Sequence, residues 1–208
     1  MSMDRAGWPF VLAGLVPAIG AAWLGWRWTA VVFFVLAACM ALFFRDPSRT
    51  VPTDPGAVVS PADGKVMIAG DVELNAAPPG EWTQISIFLS PLDVHINRIP
   101  VSGRVTRVEY KRGAFLAAFR PDAAVKNERN DVWIDREGQT VVVRQVVGVV
   151  ARRLVCRVGE GAQVKAGDKF GLMKFGSRID LFLPRSVALN VKVGQSVRGG
   201  ETVLARWQ

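Results

Sequence analysis

The chain has 208 residues, half of them apolar, and 26 Lys and Arg against 18 Asp and Glu give a formal charge of +8. That length accommodates one domain with its own core plus a membrane segment. One histidine and two separated cysteines, Cys39 and Cys156, exclude a His/Cys zinc site and a disulfide framework, so no metal is expected and a reducing compartment fits. The first 44 residues hold only Asp4, Arg5 and Arg27, a net of +1, so the remaining +7 lies beyond them. An anchored basic domain meets anionic lipid in preference to nucleic acid. The chain also lacks the aromatic-basic interleaving of a single-strand platform, so no nucleic-acid partner is expected.

Residues 8–44 carry a single charge, Arg27, which divides them into 8–26 and 28–44. Each half is close to the lower limit of about 17 residues for crossing a bilayer core, and Pro17 interrupts the first. Two short spanning helices and a helical hairpin dipping into one leaflet both satisfy this pattern, and both return the chain to its starting side. Arg5 before the segment, and Arg45 and Arg49 after it, place that side in the cytoplasm. Trp23, Trp26 and Trp28 cluster at the turn, as interfacial aromatics do. The apolar run is too long for a cleavable signal, and too long and uncharged for a hairpin buried in a soluble core. Residues 1–45 are therefore expected to be a membrane anchor on the inner membrane, with 46–208 on its cytoplasmic face.

Three prolines between Arg45 and Gly56 make a stiff linker. Beyond it, residues 58–59, 64–70, 82–89, 103–110, 131–135, 140–150, 154–158, 170–173, 179–183 and 202–207 are short runs rich in Val, Ile and aromatics. Gly, Pro, Asn and Asp punctuate them. Residues 115–129 read as weak helix or loop. The expected fold is mainly β, sandwich-like or barrel-like, preceded by the helical membrane hairpin. A repeat of the form G-x-x-V-basic-x-G-acid occurs at 161–168 and 194–201. It resembles the turns of biotinyl and lipoyl carrier modules and predicts two similar β-units flanking Gly176-Ser177.

The Gly176-Ser177 bond is a candidate for self-cleavage. Attack of the Ser177 hydroxyl on the Gly176 carbonyl converts amide to ester, and glycine leaves that carbonyl open to attack. Donors must hold the oxyanion. Loss of the Ser177 α-proton then eliminates the ester, and hydrolysis leaves a pyruvoyl group on the new N-terminus. Such a ketone forms a Schiff base with a substrate amine and takes up electrons as a carboxylate leaves. His95, the only histidine, suits the proton transfers. Strand alternation puts Asp93, His95 and Asn97 on one face, with Asp93 as an orienting carboxylate. Asp63 sits in a Pro-x-Asp-Gly turn, where a purely local role is the default.

With these residues in view the chain resembles the phosphatidylserine decarboxylase proenzymes, in their short, membrane-anchored bacterial branch. The resemblance rests on Phe44-Arg45-Asp46-Pro47, Ser60-Pro61-Ala62-Asp63-Gly64, Asp93-Val94-His95, Lys126-Asn127-Glu128-Arg129-Asn130 and Phe175-Gly176-Ser177, in family order and spacing. It implies that Ser177 becomes the pyruvoyl group. It implies that Asp63 and a histidine assist self-cleavage and that a histidine assists decarboxylation of phosphatidylserine to phosphatidylethanolamine and carbon dioxide. The cleaved chains, 1–176 and 177–208, would remain together as a heterodimer, with a homo-oligomer also open. Two departures stand out. Longer members carry Leu-Gly-Ser-Thr where this chain has Arg178, and a second histidine where it has Arg98. Either His95 serves both reactions, or Asp63 and a water replace the missing imidazole.

Arg98, Arg112, Arg120, Lys126 and Arg129 are candidates to meet a headgroup phosphate or carboxylate, or form a solvated basic face toward lipid. Residues 113–119 are apolar between basic flanks and either dip into the headgroup region or pack. The competing functions are a membrane-anchored carrier or adaptor module, since Met173-Lys174 echoes a biotinylated Met-Lys, and a homologue that does not process or takes another headgroup.

Overall fold

Two apolar runs separated by Gly25 and Arg27 become two helices. The computed structural model describes residues 2–73, 76–149, 154–174 and 177–207, and the chain divides into two compact units, Met1–Ser48 and Arg49–Gln208. In the first, α1 (Trp8–Trp23) and α2 (Arg27–Phe43) are joined by a turn in which Gly25 has φ +75°. The Asp4 carboxylate caps the start by accepting from the Ala6 amide at 2.9 Å. Strands β1 (Ser2–Met3) and β2 (Arg45–Asp46) pair antiparallel and close the base. A Cβ on Gly14 would stand 3.0 Å from Ala37, so a small residue is needed where the helices approach. Leu12, Val16, Ile19, Phe34 and Leu36 remain exposed; such helices are apolar on the outside as well as between themselves. The stretch Arg5–Trp23, 19 residues, is long and apolar enough to cross a membrane, whereas Arg27–Phe43 is shorter.

The second unit is mainly β. Its strands are β3 (Ala57–Val59), β4 (Gly64–Gly70), β5 (Thr83–Leu89), β6 (Ile96–Arg98), β7 (Gly103–Lys111), β8 (Arg129–Arg136), β9 (Gln139–Val146), β10 (Leu154–Cys156), β11 (Gln163–Val164), β12 (Lys169–Met173), β13 (Ser177–Leu183), β14 (Ala188–Leu189), β15 (Ser196–Val197) and β16 (Val203–Arg206). An eight-stranded sheet runs β11-β7-β8-β9-β13-β5-β4-β15, and two three-stranded sheets run β10-β12-β6 and β14-β16-β3. The large sheet does not close into a barrel. Its inner face, with Ile85, Ile87, Val132, Ile134, Val141, Val143, Ile179 and Leu181, forms one core with Val58, Phe170, Met173 and Leu204 from the small sheets. The arrangement is sandwich-like, as the alternating runs imply. On the other face of the large sheet, Trp82, Val142 and Phe182 gather with Val72, Ala77 and Trp133.

The repeat proves to be structural in a specific way. Its two copies supply β11 and β15, the two edge strands of the large sheet. Gly161 and Gly194 have φ +85° and +86°, Gly167 and Gly200 +85° and +77°, a backbone conformation glycine adopts without strain. Each copy bonds back alike: Gly161 to the Val105 carbonyl and Gly194 to that of Val66, both at 2.8 Å. The β13 strand that begins at Ser177 lies between them, three strands from β15 and four from β11.

Strands β1, β2, β11, β14 and β15 escape a sequence reading, because two residues carry no periodicity, and β6 begins only at Ile96, later than the alternation from Asp93 implies. Residues 115–129 are mostly loop, with one short helix, α3 (Ala123–Lys126). Gly176, the residue before the predicted cleavage point, lies outside the described residues, as does Val150 at the end of one predicted strand.

Candidate active site

Ser177 is the first residue of β13, pairs with Leu89 of β5 and is fully buried. Its Oγ has no hydrogen-bond partner. A buried hydroxyl left unpaired costs about 1–3 kcal/mol, so a stable fold retains it only where something else requires it. Strand alternation puts Ser177 on the inner face with Ile179 and Leu181, whereas Arg178 and Asp180 point to the other side.

Asp63 comes to the same end of the sheet. Lys65 of β4 pairs with Phe88 of β5, and Leu89 pairs with Ser177. Gly64, Leu89 and Ser177 therefore stand in a row, which puts Asp63 about two strand spacings, roughly 10 Å, from Ser177. The glycine of the Pro-x-Asp-Gly turn is required: at φ +149°, a Cβ on Gly64 would collide with the Phe88 carbonyl oxygen. Both Asp63 oxygens are already engaged. Oδ2 pairs with Arg49 Nη2 at 2.7 Å, and Oδ1 accepts from the Gly199 amide at 2.7 Å. Gly199 belongs to the second copy of the repeat, so that turn holds Asp63 as well as edging the sheet.

His95 is fully buried immediately before β6. Its carbonyl accepts from the Met173 amide at 3.2 Å, and β6 is tied to the Asp63 turn by the Arg98 amide donating to the Pro61 carbonyl at 2.8 Å. The expected Asp93–His95 carboxylate pair is not what forms. The strand starts only at Ile96, so the alternation of Asp93, His95 and Asn97 on a strand face fails. Asp93 instead closes a turn, its carboxylate accepting from the Ser90 amide at 2.8 Å. Its backbone carbonyl, at 2.9 Å, meets His95 Nδ1. In the neutral ring that bond puts the proton on Nδ1 and leaves Nε2 as the basic nitrogen. Asp63 and Ser177 thus share one end of the large sheet, His95 is tied by backbone bonds to β12 and, through β6, to the Asp63 turn, and neither His95 nor Asp63 is bonded to the Ser177 hydroxyl.

A chain of buried amides accompanies them. Asn130 Nδ2 donates to Gln145 Oε1 at 3.2 Å, and Gln145 Nε2 donates to Asn97 Oδ1 at 2.8 Å. Asn97 Nδ2 is left buried without an acceptor. Gln145 pairs across the sheet with Ile179, two residues from Ser177 on the same face. The signal for Gln145 was available: a polar residue at an inward position of a valine-rich strand must be bonded.

The two departures find places. Arg98 Nη1 donates to the Gly167 carbonyl at 2.9 Å, so this arginine braces a repeat turn. Arg178 is fully buried, its Nε 2.6 Å from Asp180 and its Nη2 2.7 Å from Glu73 and 3.1 Å from Ser86. Burial works against its charge, but Asp180 and then Glu73 outweigh burial and raise its pKa. Asn127 clamps the 115–129 loop, bonding Leu116 through both its amide atoms and the Val147 carbonyl through Nδ2. Arg120 and Lys126 share Asp122 at the exposed end of that loop. Phe119 is exposed there and meets Phe88 edge-on at 6.3 Å, while Ala118 is buried.

Residues 36–205, which include Asp63, His95, Asn97, Gln145 and Ser177, match the phosphatidylserine decarboxylase family model. The chain is 45% identical to the phosphatidylserine decarboxylase proenzyme of Paramagnetospirillum magneticum over 213 residues, spanning 98% of this chain and 86% of that one. It is 44% identical to the proenzyme of Saccharopolyspora erythraea, over 98% and 87% of the two chains, and 39% identical to that of Nitrosomonas eutropha, over 98% and 94%. With a match of this extent, the chain belongs to the phosphatidylserine decarboxylase family.

Proposed function

We propose that the protein is a self-processing, pyruvoyl-dependent decarboxylase that converts phosphatidylserine to phosphatidylethanolamine, with residues 1–45 as its membrane anchor and 46–208 as its catalytic part. The observation that carries the proposal is the Ser177 hydroxyl, fully buried and without a hydrogen-bond partner at the start of a central strand. A hydroxyl with no competing bond is available as a nucleophile.

Self-cleavage then proceeds on the chain's own atoms. The Ser177 Oγ attacks the Gly176 carbonyl carbon, its proton passes to His95 and from there to the Ser177 nitrogen, and the Gly176–Ser177 C–N bond breaks to leave the ester and a free amine. Asn97 Nδ2 is the donor proposed for the oxyanion, because it is buried and has no other acceptor. Removal of the Ser177 α-proton breaks the Cβ–O bond and releases the Gly176 carboxylate. One water then hydrolyses the enamine left behind, with loss of ammonia. His95 acts through Nε2, the nitrogen that the Asp93 carbonyl leaves basic. Asp63 supports the process as a fixed negative charge, since Arg49 and the Gly199 amide occupy its oxygens.

A pyruvoyl group at this position supplies the electron sink for carbon dioxide loss from an amine-bearing substrate. Its site is walled by Leu89 and Ile179 on the inner face of the sheet, which keeps water away, and His95 is the proposed donor of the proton that replaces the carboxylate. The apolar stretch Arg5–Trp23 supports membrane attachment. Arg5, Arg45 and Arg49 on its flanks support a catalytic part on the cytoplasmic face of the inner membrane.

The test is the mass of the purified protein beside Ser177→Ala. The expected wild type is two chains, 1–176 and 177–208, the shorter lacking a free amine and reactive toward carbonyl reagents, with phosphatidylserine turnover absent from the variant. A single intact chain of 22.7 kDa in the wild type would overturn the proposal.

A further inference from the structure

On the face of the large sheet away from Ser177, the 76–79 segment roofs a cavity of about 200 Å³ above β7, β8 and β9. Among the described residues Arg107, Lys111, Arg129 and Arg144 line it with Glu109 and Asp131, so four cations face two carboxylates. Those carboxylates are already used. Asp131 holds Arg144 through two bonds at 2.6 and 2.7 Å, both side chains being almost wholly buried. Glu109 is shared by Arg107 at 3.1 Å and Lys111 at 3.0 Å.

Arg129 is the cation left over. Its Nη1 donates to the Val125 carbonyl, and its Nε is buried with no partner. Burial, and next the charge of Arg144, push its pKa down against the opposing charges of Asp131 and Glu109. The indole N–H of Trp133, on the same wall under the Arg107 guanidinium, is also buried with no partner. Two orphaned donors and an excess of positive charge around one cavity call for an anion with several acceptor oxygens.

We propose that this cavity is a binding site for a phosphate group, carried by a lipid headgroup or free in solution. Two excess positive charges match a phosphate better than a single carboxylate, and the Arg129 and Trp133 side chains on the cavity wall each hold a buried donor with no acceptor. The site lies on the opposite face of the sheet from Ser177. Arg129, Asp131 and Trp133 pair with Val146, Arg144 and Val142, whose partners on β13 are Arg178, Asp180 and Phe182, the outward residues that alternate with Ser177, Ile179 and Leu181. The inference therefore does not depend on the decarboxylase proposal.

The experiment is calorimetric titration of the full-length protein in neutral detergent, at constant ionic strength. The probes are inorganic phosphate and, separately, dihexanoyl phosphatidic acid below its micelle concentration. Saturable binding to wild type and to Ser177→Ala is expected, weakened about tenfold or more in both Arg129→Gln and Trp133→Phe, as loss of a bond to a charged group implies. Trp133→Phe keeps an aromatic ring at this position and removes the N–H together with the five-membered ring, so the test survives if Arg129→Gln does not fold. Binding of inorganic phosphate identifies a free anion as sufficient, and binding of the lipid alone identifies a headgroup. Three results overturn the proposal: no saturable binding of either probe, affinity unchanged in either folded variant, or binding lost in Ser177→Ala and kept in Arg129→Gln.

Discussion

Gln145 donates from Nε2 to Oδ1 of Asn97 at 2.8 Å, and that bond decides which end of Asn97 is spare. Because Asn130 already donates to Gln145 Oε1, the amide chain runs in one direction and ends on an unused N–H₂. Asn97→Ala should slow self-cleavage by about 10²–10³-fold, the usual loss for one oxyanion donor. The rate is read from the appearance of the 177–208 chain by mass. Gln145→Leu removes the bond that orients Asn97 and should slow cleavage by less. Cleavage at the wild-type rate in Asn97→Ala would remove this residue from the mechanism.

His95→Ala should abolish phosphatidylserine turnover. The informative readout is what happens to cleavage. With Arg98 committed to the Gly167 carbonyl, no second imidazole exists to share the work, and the expected result is loss of both processing and turnover. A variant that still splits into 1–176 and 177–208 but does not turn over would limit His95 to the decarboxylation and require another base for cleavage. Full activity in His95→Ala would end its assignment to either reaction.

What was legible in the sequence followed from periodicity and punctuation. Strand β4 comes out at its predicted bounds because a Gly stands at each end of an apolar run, and Gly64 also has a backbone that only glycine adopts without strain. The mainly β class followed from many such runs. What stayed hidden was long-range. Nothing local says that Asp93 will use its carboxylate to close a turn and leave only its carbonyl for His95. Nor does the sequence around Asp63 reveal Arg49, 14 residues away, as its partner. The repeat was visible, but its place at both edges of the sheet is a property of strand order, which two-residue strands do not announce.

Arg178 stands where longer relatives are expected to carry threonine, and its surroundings explain why the exchange is not free. Arg178→Thr would leave Asp180, itself fully buried, and Glu73 without their cation. Breaking a buried pair from one side costs roughly 3–5 kcal/mol. Thermal unfolding should therefore show a large loss for Arg178→Thr and for Asp180→Ala singly. The double variant Arg178→Thr/Asp180→Ala should recover part of it, since no uncompensated charge remains at position 180. Strict additivity of the two single losses would show that the pair is not coupled.

Arg49 holds Asp63 at 2.7 Å with the two side chains 8% and 16% exposed, and reaches Glu201 at 3.5 Å. The pair is less buried than Arg178–Asp180, so Arg49→Ala should cost less, about 2–3 kcal/mol, or roughly 5–10 °C in Tm for a chain of this size. Stability alone does not separate a turn residue from one that assists cleavage, because both readings lower Tm. The comparison that separates them is Asp63→Asn, which keeps the shape and the bond from the Gly199 amide but removes the charge. If Asp63 acts as a fixed negative charge beside the reacting end, Asp63→Asn should slow the appearance of the 177–208 chain by far more than Arg49→Lys, which keeps Asp63 charged. Equal cleavage rates in the two folded variants would reduce Asp63 to the architecture of its turn, and His95 with Asn97 would then carry the self-cleavage without it.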